Sequence, residues 1–283
     1  MSTSPLIDCA ALAALLQDPH TLLVDCRSDL LDHQWGQRQY EAGHLPGAVF
    51  ANLGTDLSAP VSADSGRHPL PQAAQFAALL SSWGVNEHTR IVAYDQGPGP
   101  YAARLWWLLR ACGGPQAQVL NGGWAAWLAA GLPVTQEMPA ARAASLVPVR
   151  EFTGAVDVAT VASAALDPTR VLVDARGADR FAGQNETIDP IAGHVPGAVN
   201  QPFTANLVAG GRFAEPAALR ERWLQVLGPR TPQQLIAMCG SGVSACHNLL
   251  ALELAGLGGG QLYPGSWSHW IRDPARPVAT GAT

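Results

Sequence analysis

The sequence predicts an α/β fold used twice: two tandem domains, each a small, mainly parallel sheet with helices on both faces. Three observations predict it. The chain repeats itself: TLLVDCR at Thr21 to Arg27 returns as RVLVDAR at Arg170 to Arg176, and GHLPGA at Gly43 to Ala48 returns as GHVPGA at Gly193 to Ala198. Later in each half come an apolar run (IVAYD from Ile91, LIAMC from Leu235) and a tryptophan pair (NGGWAAW from Asn121, PGSWSHW from Pro264), in the same order. Second, short apolar runs alternate with amphipathic stretches, the pattern of strand–helix–strand units. Third, 283 residues of which 48% are apolar and 14% charged supply enough material for one or two buried cores.

Taken in order, Leu22 to Asp25, Ile91 to Tyr94 and Val119 to Leu120 read as buried strands of the first half. Pro71 to Trp83 and Tyr101 to Cys112 read as helices with apolar faces. The second half repeats this with strands at Val171 to Asp174, Leu235 to Met238 and Gln261 to Tyr263, and helices at Pro216 to Leu227 and Val243 to Ala255. Met138 to Val149, rich in alanine with two prolines and little periodicity, reads as the linker. The domains are therefore expected at 1–137 and 150–283, joined by 138–149. In parallel sheets of this kind ligands bind beyond the carboxyl ends of the strands.

Composition excludes several classes. The formal net charge is −5 and there is no Lys/Arg run, which argues against a nucleic-acid groove or an anionic membrane surface as partner. No apolar run is long enough to span a bilayer. The N-terminus lacks a basic region followed by an apolar one, so no secretory signal is expected. The five cysteines, Cys9, Cys26, Cys112, Cys239 and Cys246, include no C-x-x-C and are odd in number, which fits reduced thiols and a cytoplasmic location. No second Cys/His pair accompanies Cys246-His247 at zinc-finger spacing, so neither a metal nor another cofactor is expected.

What both halves share reads as architecture. Asp25/Arg27 and Asp174/Arg176 form D-x-R at a strand end, the pattern of a buried ion pair tying strand to loop. His44 and His194 on their Pro-Gly turns read as hydrogen-bonded scaffold. Trp124, Trp127, Trp267 and Trp270, spaced i, i+3, read as core.

The halves differ most at one place. After its strand the first half has Asp95-Gln96-Gly97, and the second has Cys239-Gly240-Ser241-Gly242-Val243-Ser244-Ala245, followed by an apolar helical run. Glycines let successive backbone N–H groups turn inward as an anion-binding nest, and the helix N-terminus adds its partial positive charge. Both favour a thiolate, the nucleophilic form. Cys9, Cys26 and Cys112 fit small buried core residues instead. Because the first half lacks the glycine-serine-glycine cradle, Asp95→Cys is not expected to create a second reactive thiol. A Cys-dependent phosphatase needs Cys-x5-Arg, and here Ala245 stands six residues after Cys239. A non-catalytic binding module is the alternative from a different class, and the retained Cys239 argues against it.

The D-x-R pair, GHxPGA, the tryptophan pairs and the C-G-S-G-V-[ST]-A loop together resemble the two-domain sulfurtransferases of the rhodanese superfamily, nearly end to end. The resemblance implies that the N-terminal copy is non-catalytic and that Cys239 attacks a donor's sulfur, holds it as a persulfide and passes it to cyanide, a thiol or a thioredoxin-like acceptor. It implies roles for Ser241 in proton handling and for the amides of Gly240, Gly242, Val243, Ser244 and Ala245 in holding the sulfur anion, with Ser244 also a candidate helix cap. Arg180 in A-D-R-F stands where the family binds the substrate anion, while Leu31 occupies the aligned place in the first half. His68 in GRHPLP matches a family histidine. The loop form resembles 3-mercaptopyruvate sulfurtransferases, and with no Lys or Arg from Gly240 to Ala245 thiosulfate is the second choice of donor. Two positions depart from the family. A second substrate arginine before GHVPGA is replaced by TIDPIAGH, which includes Asp189, and Asn52 and Gly54 stand where an aspartate follows the first GHxPGA, with Asp56 displaced.

Overall fold

The computed structural model describes residues 4–140, 142–143 and 148–282. Of the predicted linker, positions 141 and 144–147 lie outside the described residues. The chain forms two compact units that do not follow chain order strictly. The first comprises Met1–Ala59, Leu70–Thr153 and Ala209–Phe213, and the second Pro60–Pro69, Gly154–Val208 and Ala214–Thr283.

The first unit holds β1 (Leu6–Ile7), α1 (Cys9–Ala13), β2 (Thr21–Asp25), α2 (Trp35–Ala42), β3 (Val49–Phe50), α3 (Ala73–Ser82), β4 (Arg90–Tyr94), α4 (Pro100–Ala111), β5 (Ala117–Leu120) and α5 (Gly123–Ala129). Its strands form an all-parallel sheet in the order β1-β5-β4-β2-β3. All of β2 and nearly all of β4 are buried, as a parallel sheet covered on both faces requires. The core gathers Leu12, Leu23, Leu45, Val92, Tyr94, Leu120 and Trp127.

The second unit holds α6 (Val158–Ala164), β6 (Val171–Asp174), α7 (Ala178–Phe181), β7 (Val199–Asn200), β8 (Leu207–Val208), α8 (Pro216–Leu227), β10 (Leu235–Met238), α9 (Ser244–Leu254), β11 (Gln261–Leu262) and α10 (Ser266–Trp270). The two-residue strand β9 (Arg212–Phe213) falls in the segment that belongs to the first unit. The parallel order β11-β10-β6-β7 reproduces the first sheet, with the place of β1 reduced to one parallel bridge, Ala155 to Leu262. Asp157 accepts the Thr160 N–H at the start of α6 as Asp8 accepts that of Ala11 at the start of α1. Pro216 opens α8, whose Leu219, Trp223 and Leu227 bury one stripe at helical spacing.

The predicted strands and helices lie within one or two residues of those observed. The repeated motifs also do in space what their chemistry demands. Arg27 forks onto both carboxylate oxygens of Asp25, with Nη2 at 2.6 Å from Oδ2, and the same Nη2 reaches the Gly43 carbonyl at 2.6 Å. Arg176 repeats this on Asp174 at 2.7 Å and on the Gly193 carbonyl at 2.8 Å. D-x-R and GHxPGA are thus one device: a buried fork clamps the strand end to the turn. His44 and His194 are buried scaffold as expected, their Nδ1 atoms 2.8 Å from the carbonyls of Tyr40 and Phe181. Trp127, Trp267 and Trp270 are core, and Trp124 is half-buried beneath the Arg27 guanidinium, 4.2 Å from its ring centre.

Breaking a buried pair leaves an uncompensated charge, whereas an exposed pair contributes little. Arg27→Met is expected to lower stability by about 3–5 kcal/mol in chemical denaturation. Removal of the exposed Arg38–Asp32 pair by Arg38→Ala is expected to leave it nearly unchanged in the same measurement.

Candidate active site

Strand β10 ends at Met238, so Cys239 stands at the carboxyl edge of the second sheet, and α9 begins five residues on at Ser244. Cys239 is 2% exposed. The Gly242 amide donates to Cys239 Sγ at 3.1 Å. That geometry needs glycine: residue 242 has φ +79° and a Cβ there would stand 2.6 Å from the Pro264 carbonyl oxygen. The start of the loop is anchored by α10. Ser268 N–H donates to the Gly240 carbonyl at 2.9 Å, Trp267 N–H donates to the Cys239 carbonyl at 3.0 Å, and the Cys239 N–H donates to Ser266 Oγ at 3.0 Å. Ser266 has φ +53° and is the one non-glycine residue in the left-handed region among the described residues. Its hydroxyl in turn donates to the Tyr263 carbonyl at 2.9 Å. Strain of this kind persists where the surroundings fix the residue. Sequence reading passed over Ser266; the signal was the repeat, which places it opposite Gly123 (φ +54°) of the first unit.

Ser241 is buried, with Oγ 2.8 Å from His68 Nδ1, so His68 and Ser241 come together although 173 positions separate them. Val243 and Ala245 are buried at the start of α9. The helix cap corrects one expectation: the N-cap position is Val243, not Ser244, and no side chain caps that end. Ser244 is the first helical residue and is half-buried. Cys246 is buried, its thiol directed to the Gly242 carbonyl at 3.3 Å. Cys9, Cys26 and Cys112 are buried in the first unit, where burial pushes each thiol up, as expected of unreactive core residues.

Arg180 does not stand alone. Its guanidinium forks onto Glu186, with Nη2 at 2.8 Å and Nε at 3.0 Å, and Nη2 reaches Asp189 at 3.2 Å. Arg67 pairs with the other oxygen of Asp189. Both arginines flank Gly240: a Cβ there would stand 2.9 Å from Arg67 Nη2 and 3.7 Å from Arg180 Nη2. Burial opposes ionisation of Glu186, but Arg180 and the amides of Asp189 and Ile188 outweigh it and hold the carboxyl below its ordinary 4.5. For Asp189 burial wins over the pull of Arg67 and Arg180, and the carboxyl is pushed up. Asp56, the displaced aspartate, accepts the Asn52 N–H at 2.8 Å within its own turn.

The first unit supplies a contrast that corrects the premise of the Asp95→Cys expectation and leaves its outcome to experiment. Its loop does carry a cradle. Asp95 Oδ1 accepts from Gly97 and Gly99, each at 3.0 Å, and Oδ2 accepts from Tyr101 at 3.0 Å and Ala102 at 3.3 Å. The missing glycine-serine-glycine pattern hid it, because Pro98 and the start of α4 turn the same amides inward by another route. A carboxylate fills the place where the second unit holds a thiol.

A thiol at a strand end with an amide donated to its sulfur, beside a Ser–His pair and two arginines, is an arrangement able to serve a cysteine nucleophile and an anionic substrate. The Rhodanese-like domain family matches residues 8–130 and 158–273. A Pseudomonas aeruginosa protein named "Probable 3-mercaptopyruvate sulfurtransferase" is 47% identical over 99% of this chain and all of its own length. A Mycobacterium tuberculosis relative with a thiosulfate sulfurtransferase name is 37% identical over 98% of this chain and 97% of its own. The solved 3-mercaptopyruvate sulfurtransferase from Leishmania major is 33% identical with a TM-score of 0.83, covering 93% of this chain and 73% of that one. The chain belongs to the rhodanese family. It is a sulfurtransferase built from two rhodanese-like regions.

Gly242→Ala tests the loop. It is expected to destabilise the protein by about 1–3 kcal/mol through the positive φ alone and to abolish sulfur transfer, read by thermal unfolding and by turnover.

Proposed function

We propose that the protein takes sulfur from 3-mercaptopyruvate through a persulfide on Cys239 and delivers it to a thiophilic acceptor. The observation that carries this reading is the Gly242 amide directed at Cys239 Sγ beneath two arginines. The catalytic work falls to the second rhodanese-like region, and the first, with Asp95 in the cysteine's place, is non-catalytic.

The first step is attack of the Cys239 thiolate on the donor's thiol sulfur. The S–S bond forms, the donor's C–S bond breaks, and its electron pair leaves as the enolate of pyruvate, which takes up a proton. The adjacent carbonyl makes that carbanion a workable leaving group. Ser241 and His68, hydrogen-bonded to each other, supply or relay that proton. In the second step the acceptor attacks the outer sulfur, the S–S bond breaks and the thiolate is restored. Cyanide would leave as thiocyanate, and a thiol as its own persulfide. The amides of the Gly240 to Ala245 loop hold the sulfur anion in both steps.

Donor charge favours the carboxylate. Around Gly240 the cations of Arg67 and Arg180 are matched by Glu186 and Asp189. That balance suits one added negative charge better than the two of thiosulfate. Five unpaired cysteines fit a reducing compartment, and we assign the protein to the cytoplasm. No helix among the described residues is long and apolar enough to cross a membrane.

Cys239→Ser is expected to abolish turnover and to leave no mass increase of one sulfur after treatment with donor alone; wild-type turnover in this variant would overturn the assignment. Arg180→Ala is expected to raise KM for 3-mercaptopyruvate at least tenfold with a smaller effect on the acceptor's KM, measured by varying each substrate in turn.

A further inference from the structure

Arg67 reaches the second unit in the segment Pro60–Pro69, and its surroundings fix it over the Cys239 loop. Its backbone N–H donates to Ser268 Oγ at 3.0 Å, while the Ser268 N–H holds the Gly240 carbonyl. The next residue, His68, meets Ser241. The pair 67–68 therefore lies along 240–241, and the register fixes where the Arg67 guanidinium sits. One arm of that guanidinium pairs with Asp189. The other, Nη2, is buried and has no hydrogen-bond partner among the described residues. A buried guanidinium N–H left unmade is expensive, so such a group marks a place where a partner belongs. This one faces the residue that follows the nucleophile.

The fold repeats this element as well. GRHPLP at Gly66 to Pro71 precedes α3, and GRFAEP at Gly211 to Pro216 precedes α8, with glycine, arginine and proline in register. Arg212 belongs to the first unit and stands against Gly122, its Cγ 3.1 Å from where a Cβ would be, beyond a loop whose anion is already supplied by Asp95. Each arginine thus belongs to the unit built mainly from the other half of the chain. Only Arg67 meets a loop with a thiol.

We propose that Arg67 is a donor-binding residue: its free Nη2, beside the positive charge of Arg180, receives the donor's carboxylate over Gly240 and sets the donor sulfur against Cys239. This rests on the carboxylate-donor reading above and deepens it. Two guanidinium groups from different segments, both held to Asp189, put a free N–H of Arg67 and the charge of Arg180 at one place, a receiver for one carboxylate. Gly240 is required because any side chain there would occupy that receiver. Asp189 fixes both arginines and cancels part of their charge, which limits the receiver to a monoanion.

The test compares wild-type protein with Arg67→Met, which keeps the aliphatic stem, and Arg67→Lys, which keeps the charge and loses the fork. Donors are 3-mercaptopyruvate and its methyl ester, which has the same leaving group and no carboxylate. Steady-state kinetics is paired with intact mass after donor alone. The expected result is about a tenfold rise in KM for 3-mercaptopyruvate in Arg67→Met, a smaller change in kcat and an unchanged kcat/KM for the ester, with partial recovery in Arg67→Lys. An unchanged KM for the acid, or equal losses with acid and ester, would overturn the proposal. If Arg67→Met does not fold, Arg67→Lys decides: selective loss with the acid supports the proposal and equal loss overturns it. Failure of wild-type protein to gain a sulfur from 3-mercaptopyruvate would overturn the donor reading and this proposal with it. Sulfur gained by wild type and variant alike with the same KM overturns this proposal alone.

Discussion

The buried carboxylate of Asp174 is the constraint from which the second unit's site is built. An unexposed anion at a strand end must be met by a cation and by further donors. Arg176 meets it, and its remaining arms reach the Gly193 carbonyl and, at 3.4 Å, Glu186. Glu186 then orders Arg180, Arg180 meets Asp189, and Asp189 meets Arg67. Six alternating charges run from the floor of the sheet to the mouth of the Cys239 loop. Each charge is compensated by the next, so removing any one leaves its neighbours exposed to the cost of burial. The last member has a guanidinium arm to spare, and that is where the chain of pairs turns from scaffold to binding.

The first unit answers the same constraint and stops. Arg27 satisfies Asp25, the Gln39 and Gly43 carbonyls, and stacks on Trp124, which leaves nothing to propagate. Leu31 stands where the second unit has Arg180 and is exposed. Its strand-end loop is closed by Asp95, whose carboxylate uses four amides. The two units therefore share a backbone solution, amides turned inward beyond a strand end, and differ in the side chain that meets them, a carboxyl group in the first and a thiol in the second. A carboxyl group cannot carry a sulfur. A thiol has the chemistry to take one and release it.

Much of this was legible because the sequence is duplicated. D-x-R, GHxPGA and the tryptophan pairs repeat at nearly constant offset, and physical patterning placed the central strands and the longer helices within a residue or two, while the two-residue edge strands and short helices such as Cys9–Ala13 and Trp35–Ala42, too brief to show a period, were missed. Cys239 was legible by difference, as a cysteine with glycines after it standing where its repeat partner has Asp95. Arg67 was not, because its partner Asp189 lies 122 positions away and a turn rich in Ser, Gly and Pro reads as solvated surface. The Asp95 cradle was misread because inward amides were sought through a glycine pattern, whereas Gly97, Gly99 and a proline-led helix reach the same geometry. Ser244 was assigned as a cap by residue type, but capping is decided by backbone geometry, and the residue before it holds the N-cap place.

The depth of Cys239 follows from the chemistry it must host. A persulfide is a sulfur waiting for a nucleophile, and any oxidant or stray thiol that reaches it wastes the turnover. At 2% exposure the thiol is shielded from bulk water, yet an unassisted buried thiol would stay protonated and inert, as Cys26 is. The two demands are reconciled only if the loop itself supplies what water would have supplied. The Gly242 amide does so at 3.1 Å, with a residue that tolerates no side chain and that Pro264 holds from behind. Ser266, in its left-handed conformation, accepts the cysteine's own amide and so fixes the backbone at 239. In the proposed reaction this fixed amide dipole offsets part of the cost of burying a sulfur anion, which lets a nucleophile be hidden and still react.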